Sequence, residues 1–307
     1  MKIRTICCSI LPVWLTLAIC GAVPLEQKLA PYVYEDTREL VTLVEDAAAL
    51  MEAQGRDAFE EFSRKNTRWL NKDYYLFIYD IDGNNVFHPI APELVDKNLM
   101  DLRDMNGKPV IRMITDVGRQ PGCDASGWVF YLWEERTQLI PMWKSSYIRK
   151  VCAPDKKIYL LGSGIYNIKI EREFVKERVN EAAKILAAKG KQEAFLEFRD
   201  PSTPFNFLDT YIFVMDTQGR TVMDPSYPTL EGRDLSGLQD ATGRPFVSEM
   251  IRKLEKSDEA WVQYMWPKPG AALLSRKLIY LRKVKIGDET LIVGSDFYLA
   301  TPIWMKI

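Results

Sequence analysis

The chain has 307 residues, of which 47% are hydrophobic and 27% are charged, and its formal net charge is −1. This length is too large for one small domain and suits two domains of about 130 residues, each able to bury a core. A near-neutral charge excludes the basic surface that phosphate backbones require, so nucleic acid is not an expected partner.

Residues 1–22 have the pattern of a secretory signal peptide. Two cations in MKIRT precede the apolar run ICCSILPVWLTLAICGA, which ends in small residues. We expect cleavage after Ala22, which predicts a periplasmic or secreted protein. Two alternatives stay open, because LAI before Cys20 resembles a lipoprotein box and the uncleaved run is just long enough to anchor the chain in a bilayer. No second apolar stretch of spanning length follows, so we expect no segment that acts inside the cell.

The next part of the chain predicts a long helix followed by strands. After the helix we predict a strand (YYLFIYD), a glycine turn and a short strand that ends in HP. An irregular connection with a short helix near 109–117 comes next, and three aromatic-rich strands complete the unit. This order predicts an α+β module with an antiparallel sheet. Apolar residues at three- and four-residue spacing define the long helix: Leu40, Leu43, Val44, Ala47, Leu50 and Met51.

Two cysteines, Cys123 and Cys152, lie beyond the N-terminal segment. In an oxidising compartment two remaining thiols usually pair. If strands 127–133 and 146–151 form a hairpin with its turn near 138, opposite residue numbers sum to about 275 or 276. The two cysteines sum to 275, which predicts a disulfide just beyond the paired strands. Two unpaired buried thiols are the alternative.

The same sequence pattern is repeated in the second half of the chain. Residues 76–114 align without a gap onto 212–250 with 12 identities in 39 positions, whereas unrelated chains of average composition share about two or three. Most identities are Asp, Gly or Pro, which form turns, so a backbone path is repeated. Further on, WVFYLW becomes WVQYMW, YIRKV becomes YLRKV and GSGIY becomes GSDFY. We predict a first module at 35–168 and a second at 169–300.

The ordered motifs resemble a known family. The series YDIDGNNVFHP, NLMDLRDMNGKP, GWVFYLW and GSGIY is similar to extracytoplasmic Cache sensor domains of the HP and GWxxYxW type, which have a PAS-like fold. The resemblance implies, for each module, a five-stranded antiparallel sheet packed on a long N-terminal helix. It also implies a ligand cavity between the sheet and the short helix that covers it. Such domains bind organic acids, amino acids or similar solutes, and occur in chemoreceptors, histidine kinases and cyclase-type receptors.

The first hairpin strand supplies candidates for the cavity wall. Both faces of WVFYLW are apolar, so alternation alone does not identify the inner one. Phe130 becomes Gln263 in the second copy, which indicates that this face tolerates a polar residue. Val129, Tyr131 and Trp133 on the other face are then the candidates, since Tyr and Trp bury a large area and keep one polar group. Plain packing within the sheet is the alternative.

An anionic ligand requires a fixed donor or cation. Arg112 lies in the short helix that the family places over the cavity, and its counterpart Ser248 indicates that the fold does not require the charge. A solvated surface position is the alternative. The neighbouring strands supply further candidates of uncertain register, since a slip of one residue reverses every side chain. These ligand-binding candidates are Tyr79, Trp143, Lys144 and Tyr147.

His88 is the only histidine, and its counterpart is Asp224. One interpretation is structural, because His or Asp can cap the turn that follows the strand. The other is functional, because an imidazole near the cavity can bind a carboxylate and changes its charge near neutral pH. If the functional interpretation holds, the second module would bind either no ligand or a cationic one.

No cofactor or metal is expected, because one histidine excludes multi-His metal sites and no nucleophile elbow, P-loop or dinucleotide motif is present. We therefore predict a non-enzymatic, exported sensor that binds a small organic acid or amino acid in the first module. It would pass the signal to a membrane partner such as a sensor kinase or chemoreceptor. The alternatives are a structural or interaction module of the cell envelope without a small-molecule ligand and, more remotely, a hydrolase without a recognised motif.

Overall fold

The structure is a computed structural model that describes residues 23–72, 74–135, 139–267 and 274–299. The predicted signal peptide, residues 1–22, lies outside these described residues. Within the described ranges, no helix is both long enough and apolar enough to span a bilayer.

The first module is a five-stranded antiparallel sheet with the strand order β2-β1-β5-β4-β3. Its long helix precedes the sheet, and a short helix lies between the second and third strands. The elements are α1 (Leu25–Leu29), α2 (Glu35–Gln54), α3 (Ala58–Phe62), β1 (Phe77–Asp80), β2 (Asn85–Phe87), α4 (Val110–Arg119), β3 (Ser126–Trp133), β4 (Met142–Cys152) and β5 (Ile158–Tyr166), with 3₁₀ turns at Gly55–Asp57 and Pro92–Leu94.

The second module repeats this plan with the strand order β7-β6-β10-β9-β8, again antiparallel throughout. The predicted α+β class, with a long helix packed on a five-stranded sheet in each of two modules, is therefore confirmed. The elements are α5 (Arg172–Arg199), β6 (Phe213–Asp216), β7 (Thr221–Met223), α6 (Phe246–Lys256), β8 (Glu259–Pro267), β9 (Leu274–Ile286) and β10 (Glu289–Tyr298), with a 3₁₀ turn at Pro228–Leu230.

Each long helix is interrupted at an equivalent glycine. Gly55 ends α2 with φ 61°, and Gly190 kinks α5 with φ 76°. A side chain with a Cβ rarely adopts positive φ, so glycine allows the chain to bend there and keep its apolar stripe on the sheet. The buried stripe of α2 includes Leu40, Leu43, Val44, Ala47 and Met51, as predicted.

The helix-covered faces of the two sheets share one continuous core. Phe130 on β3 joins them, because its ring lies 5.1 Å from Phe174 of α5 and 4.6 Å from Phe207 (centroid to centroid). The equivalent Gln263 on β8 is exposed. The difference between these residues thus reflects the position of each module in the chain, since within the described ranges the second module packs over this face of the first.

The predicted hairpin register is confirmed. Ser126 pairs with Arg149 and Trp133 pairs with Met142, so every opposite pair of β3 and β4 sums to 275. Cys123 and Cys152 form the predicted disulfide, with 5.5 Å between their Cα atoms. The bridge closes a loop of 29 residues, which stabilises a fold by about 3–4 kcal/mol in the chain-entropy account.

Candidate ligand pocket

The candidate pocket of the first module lies between its sheet and α4, on the face opposite α2. Its wall combines aromatic rings from β1 and β3, apolar side chains from α4 and one lysine from β4. The lining residues are Tyr75, Phe77, Tyr79, His88, Val110, Ile111, Ile114, Tyr131, Trp133 and Lys144. The space between them, about 10 Å³, is roughly that of one water molecule.

Strand alternation brings these aromatic residues together. Successive side chains of a strand point to opposite faces, so Tyr75, Phe77 and Tyr79 share the pocket face. Tyr131 and Trp133 lie on this face of β3 for the same reason. The sequence motif YYLFIYD therefore supplies three pocket residues, although sequence reasoning selected only Tyr79.

Among the described lining residues, Lys144 is the one lysine or arginine, and its exposed fraction is 1%. Its Nζ donates to the Tyr75 hydroxyl and lies 4.3 Å from the Tyr75 ring centroid and 5.4 Å from that of Phe77. Burial lowers the pKa of Lys144 to about 7, because the ammonium has lost its hydration. Among the described residues, no carboxylate forms an ion pair with this lysine.

The tyrosine hydroxyls of the pocket remain protonated. Burial raises the pKa of Tyr75, Tyr79 and Tyr131 above the usual value for tyrosine, since a buried phenolate is poorly solvated. The Tyr131 hydroxyl lies 2.9 Å from Ser146 Oγ on the neighbouring strand. Each hydroxyl can thus donate or accept a hydrogen bond at neutral pH.

The structural interpretation of His88 is confirmed. Its Nδ1 accepts a hydrogen bond from the backbone N–H of Ala91 at 3.0 Å, which caps the turn after β2. In the neutral imidazole the hydrogen is therefore on Nε2. Asp224 does the same in the second module, where Oδ1 accepts from the N–H groups of Ser226 at 3.0 Å and Tyr227 at 2.8 Å.

Known families match both modules. A family model for the Cache domain matches residues 49–196, and a model for single Cache domain 2 matches residues 163–299. The chain belongs to the Cache family. Its two modules are accordingly Cache modules in tandem, as the motif series predicts.

The similar proteins include signalling proteins. The methyl-accepting chemotaxis protein McpP of Pseudomonas putida is 33% identical over 91 residues, which are 30% of this chain and 16% of that protein. The sensor histidine kinase MctS of Rhizobium johnstonii is 32% identical over 95 residues, 31% of this chain and 19% of that protein. A solved Cache chemosensory domain described for carboxylic acid recognition is 26% identical, with a TM-score of 0.35, over 41% of this chain and 92% of its own. The chain spans less than a fifth of the length of either curated relative.

Three candidate residues lie elsewhere in the first Cache module, which corrects their predicted placement. Arg112 is on the outer side of α4, where its side chain is 54% exposed and pairs with Asp101 at 3.5 Å. Tyr147 is on the α2 face of β4, where its hydroxyl donates to Glu45 at 2.8 Å. Trp143 shares that face because it lies one residue before Lys144 on the same strand.

Trp143 instead lines an open cleft of about 630 Å³ between the two Cache modules. Most of the cleft wall comes from the loop before β6 and from aromatic residues of the second module. It includes Phe207, Asp209, Tyr211, Tyr227, Lys277 and Tyr298. The cleft is larger than the pocket, but its lysine already has a carboxylate partner, as described next.

The second Cache module keeps the lysine and two of the three tyrosines of the pocket, with Tyr211 in the place of Tyr75, and adds a carboxylate. Lys277 corresponds to Lys144, and Tyr264 corresponds to Tyr131. Asp296 Oδ1 lies 2.8 Å from Lys277 Nζ, and Asp296 Oδ2 accepts a hydrogen bond from the Tyr264 hydroxyl at 2.9 Å. In the aligned motifs GSGIY and GSDFY, the residue equivalent to Asp296 is Gly164.

Proposed function

We propose that the first Cache module binds a small monocarboxylate through Lys144 and Tyr131. The observation that carries this proposal is the comparison of Gly164 with Asp296. In the second module a lysine and a tyrosine hold a carboxylate of the chain itself. The first module has the same two donor groups, and a glycine in place of the residue that carries the carboxylate.

The charge of the pocket supports an anionic ligand. An ammonium buried without a counter-ion is costly, and among the described residues Lys144 has aromatic rings, a hydroxyl group and apolar side chains around it but no carboxylate partner. A ligand carboxylate would supply the missing charge and form charge-assisted hydrogen bonds, which are about twice as strong as neutral ones.

The pocket wall also favours one class of acid. Its described lining has one lysine and no carboxylate, so it offers no counter-ion for the ammonium group of an amino acid and no second cation for the second carboxylate of a diacid. The other side chains around Lys144 are mainly apolar, and Ile111, Ile114 and Trp133 would contact a short hydrocarbon tail. Because the space is small, the ligand must displace the Lys144 ammonium from the Tyr75 hydroxyl as it enters.

We propose two supporting roles for the remaining candidates. His88 would donate from Nε2 to the second carboxylate oxygen, while its Nδ1 stays bonded to the backbone of Ala91. Tyr79 and Trp133 would close the sides of the pocket around the tail of the acid.

The proposed role is that of an exported sensor rather than an enzyme. A disulfide between Cys123 and Cys152 is typical of a compartment outside the cytoplasm. The similarity to a chemotaxis protein and to a sensor histidine kinase supports a membrane-bound receptor or kinase as the partner that reads the ligand state.

A thermal-shift panel tests the ligand assignment. Ligand at a hundredfold excess over Kd stabilises a protein by about 2.7 kcal/mol, so a short monocarboxylate such as acetate or propionate is expected to raise Tm by several degrees. Sodium chloride at equal ionic strength is the control, and Lys144→Met should abolish the shift. A flat response to monocarboxylates, or a response that survives Lys144→Met, would refute the proposal.

A further inference from the structure

The carboxylate of Asp296 contacts both donors of the second pocket. Its two oxygens take the Lys277 ammonium and the Tyr264 hydroxyl separately, and the side chains of Asp296 and Lys277 are 9% and 10% exposed. These are the two groups whose equivalents, Lys144 and Tyr131, we assign to the ligand in the first module. Asp296 thus has the contacts that a bound acid would have.

The two modules also differ at the residue that faces Asp296 across the sheet. The position that pairs with Gly164 across β4 and β5 is Ser146, whose hydroxyl contacts Tyr131. The equivalent position opposite Asp296 is Ile279, which has no hydroxyl. The tyrosine of the second module therefore depends on Asp296 for its hydrogen-bond acceptor, whereas the tyrosine of the first module has a neutral serine.

We infer that Asp296 is an internal occupant of the anion subsite in the second Cache module, and that its removal would convert this module into a carboxylate-binding one. This inference rests on the lysine and tyrosine chemistry of the proposed function but concerns different residues. According to this inference, residue 164 in the first module and residue 296 in the second determine which module binds a free acid.

The second site is also accessible from the surface. Lys277 and Tyr298 line the open cleft between the modules, so a small solute can reach the lysine once the aspartate is removed. Asp224 is the other buried acid nearby, and burial raises its pKa with Asp296 adding to the effect. Two backbone hydrogen bonds hold its carboxylate in the turn, where the charges of Asp296 and Lys277 both act on it.

The experiment measures acetate and propionate binding to Asp296→Gly in a Lys144→Met background, by isothermal titration and thermal shift, with sodium chloride as the control. We expect a saturable response that the double variant gains and the Lys144→Met parent lacks. Adding Lys277→Met should abolish the gained response. A folded Asp296→Gly variant that responds to neither acid would overturn the inference.

Two further variants keep the test decisive. If Asp296→Gly does not fold in the absence of added acid, Asp296→Ala is measured instead. The Tm of that variant should rise with acetate but not with chloride. An equal response to both salts would overturn the inference. Conversely, Gly164→Asp combined with Ser146→Ile should abolish acetate binding to the first module. A Cβ at residue 164 would lie 2.8 Å from Lys144 Cε, so the lysine must shift, and circular dichroism checks that the variant is folded. The Lys144 variants alone test the proposed function. The proposed function and the inference about Asp296 can therefore fail separately.

Discussion

In the first module a buried lysine faces aromatic rings and hydroxyl groups, whereas in the second the equivalent lysine faces Asp296. The surrounding sheet, short helix and turn are otherwise alike, down to the cap that His88 and Asp224 each provide. The comparison separates the features that the fold requires, which both modules share, from the features that decide whether the pocket lysine has a carboxylate partner. The modules share this scaffold and differ at two facing positions, Gly164 and Ser146 in the first against Asp296 and Ile279 in the second, which alters the balance of charge in the pocket.

The largest expected effect comes from replacing each lysine by methionine. Lys277→Met leaves Asp296 buried without its cation, and breaking a buried pair in this way costs about 3–5 kcal/mol of folding stability. Lys144→Met removes a buried ammonium that has no carboxylate partner among the described residues, so it should be neutral or stabilising. Urea unfolding of both variants checks this comparison, and equal destabilisation would contradict it.

Removing the disulfide should destabilise only the first module. Replacing both Cys123 and Cys152 by alanine is expected to cost about 3–4 kcal/mol, because the unfolded chain gains freedom over a 29-residue loop. Residues 169–300, which we predict as the second module, contain no cysteine. Hydrogen exchange that accelerates in β3 and β4 but not in β8 and β9 would support this, and equal acceleration in both sheets would contradict it.

The affinity for a carboxylate should depend on pH through Lys144. Burial lowers the pKa of this lysine to about 7, and the ligand requires its ammonium form. Below that value the affinity is constant, whereas above it binding must take up a proton, so Kd is expected to rise about 50-fold between pH 7 and pH 9. Titration calorimetry in two buffers of different ionisation enthalpy measures the proton uptake. A constant Kd over this range would contradict the assignment of Lys144.

The same pKa predicts how the ligand-free stability changes with pH. The folded state has the lower pKa, so between pH 7 and about 10.5 the unfolded chain binds the proton that the folded chain has lost. The contribution of Lys144 to stability therefore rises with pH across this window and is least favourable below it. Comparing the stability of the wild type and Lys144→Met across this range isolates the contribution, which should vanish in the variant.

The smallest expected effect is that of Arg112→Ala. This side chain is half exposed and pairs with an exposed aspartate, so its loss should change stability by less than about 0.5 kcal/mol. It should also leave carboxylate affinity unchanged, because the guanidinium is not part of the pocket wall. A loss of affinity would show that α4 rotates on ligand binding and would revise the site.

Much of the fold was predictable because its signals are local or repeated. The hairpin register and the disulfide follow from strand spacing, and the duplication identifies both sheets. The pocket was only partly predictable. Lys144 and Tyr147 were both candidates although they are three residues apart on one strand and so face opposite sides. The face of α4 that carries Arg112 could not be fixed without knowing how the helix packs.

The determining difference between the modules was visible in the sequence but not interpretable there. GSGIY and GSDFY differ at two positions, and the first of them, Gly164 against Asp296, looks like any other glycine-to-aspartate change. Its meaning depends on the pairing of β9 with β10, which brings Asp296 next to a lysine from another strand. Such contacts between strands require the side-chain positions of the folded protein.

A crystal structure of the protein grown with acetate or propionate tests the central claim most directly. The account predicts electron density for one carboxylate in the first module, with its oxygens about 2.7–3.1 Å from Lys144 Nζ and the Tyr131 hydroxyl. When the two modules are superimposed, this carboxylate should coincide with that of Asp296. Density only in the cleft between the modules, or a bound acid without contact to Lys144, would contradict the account.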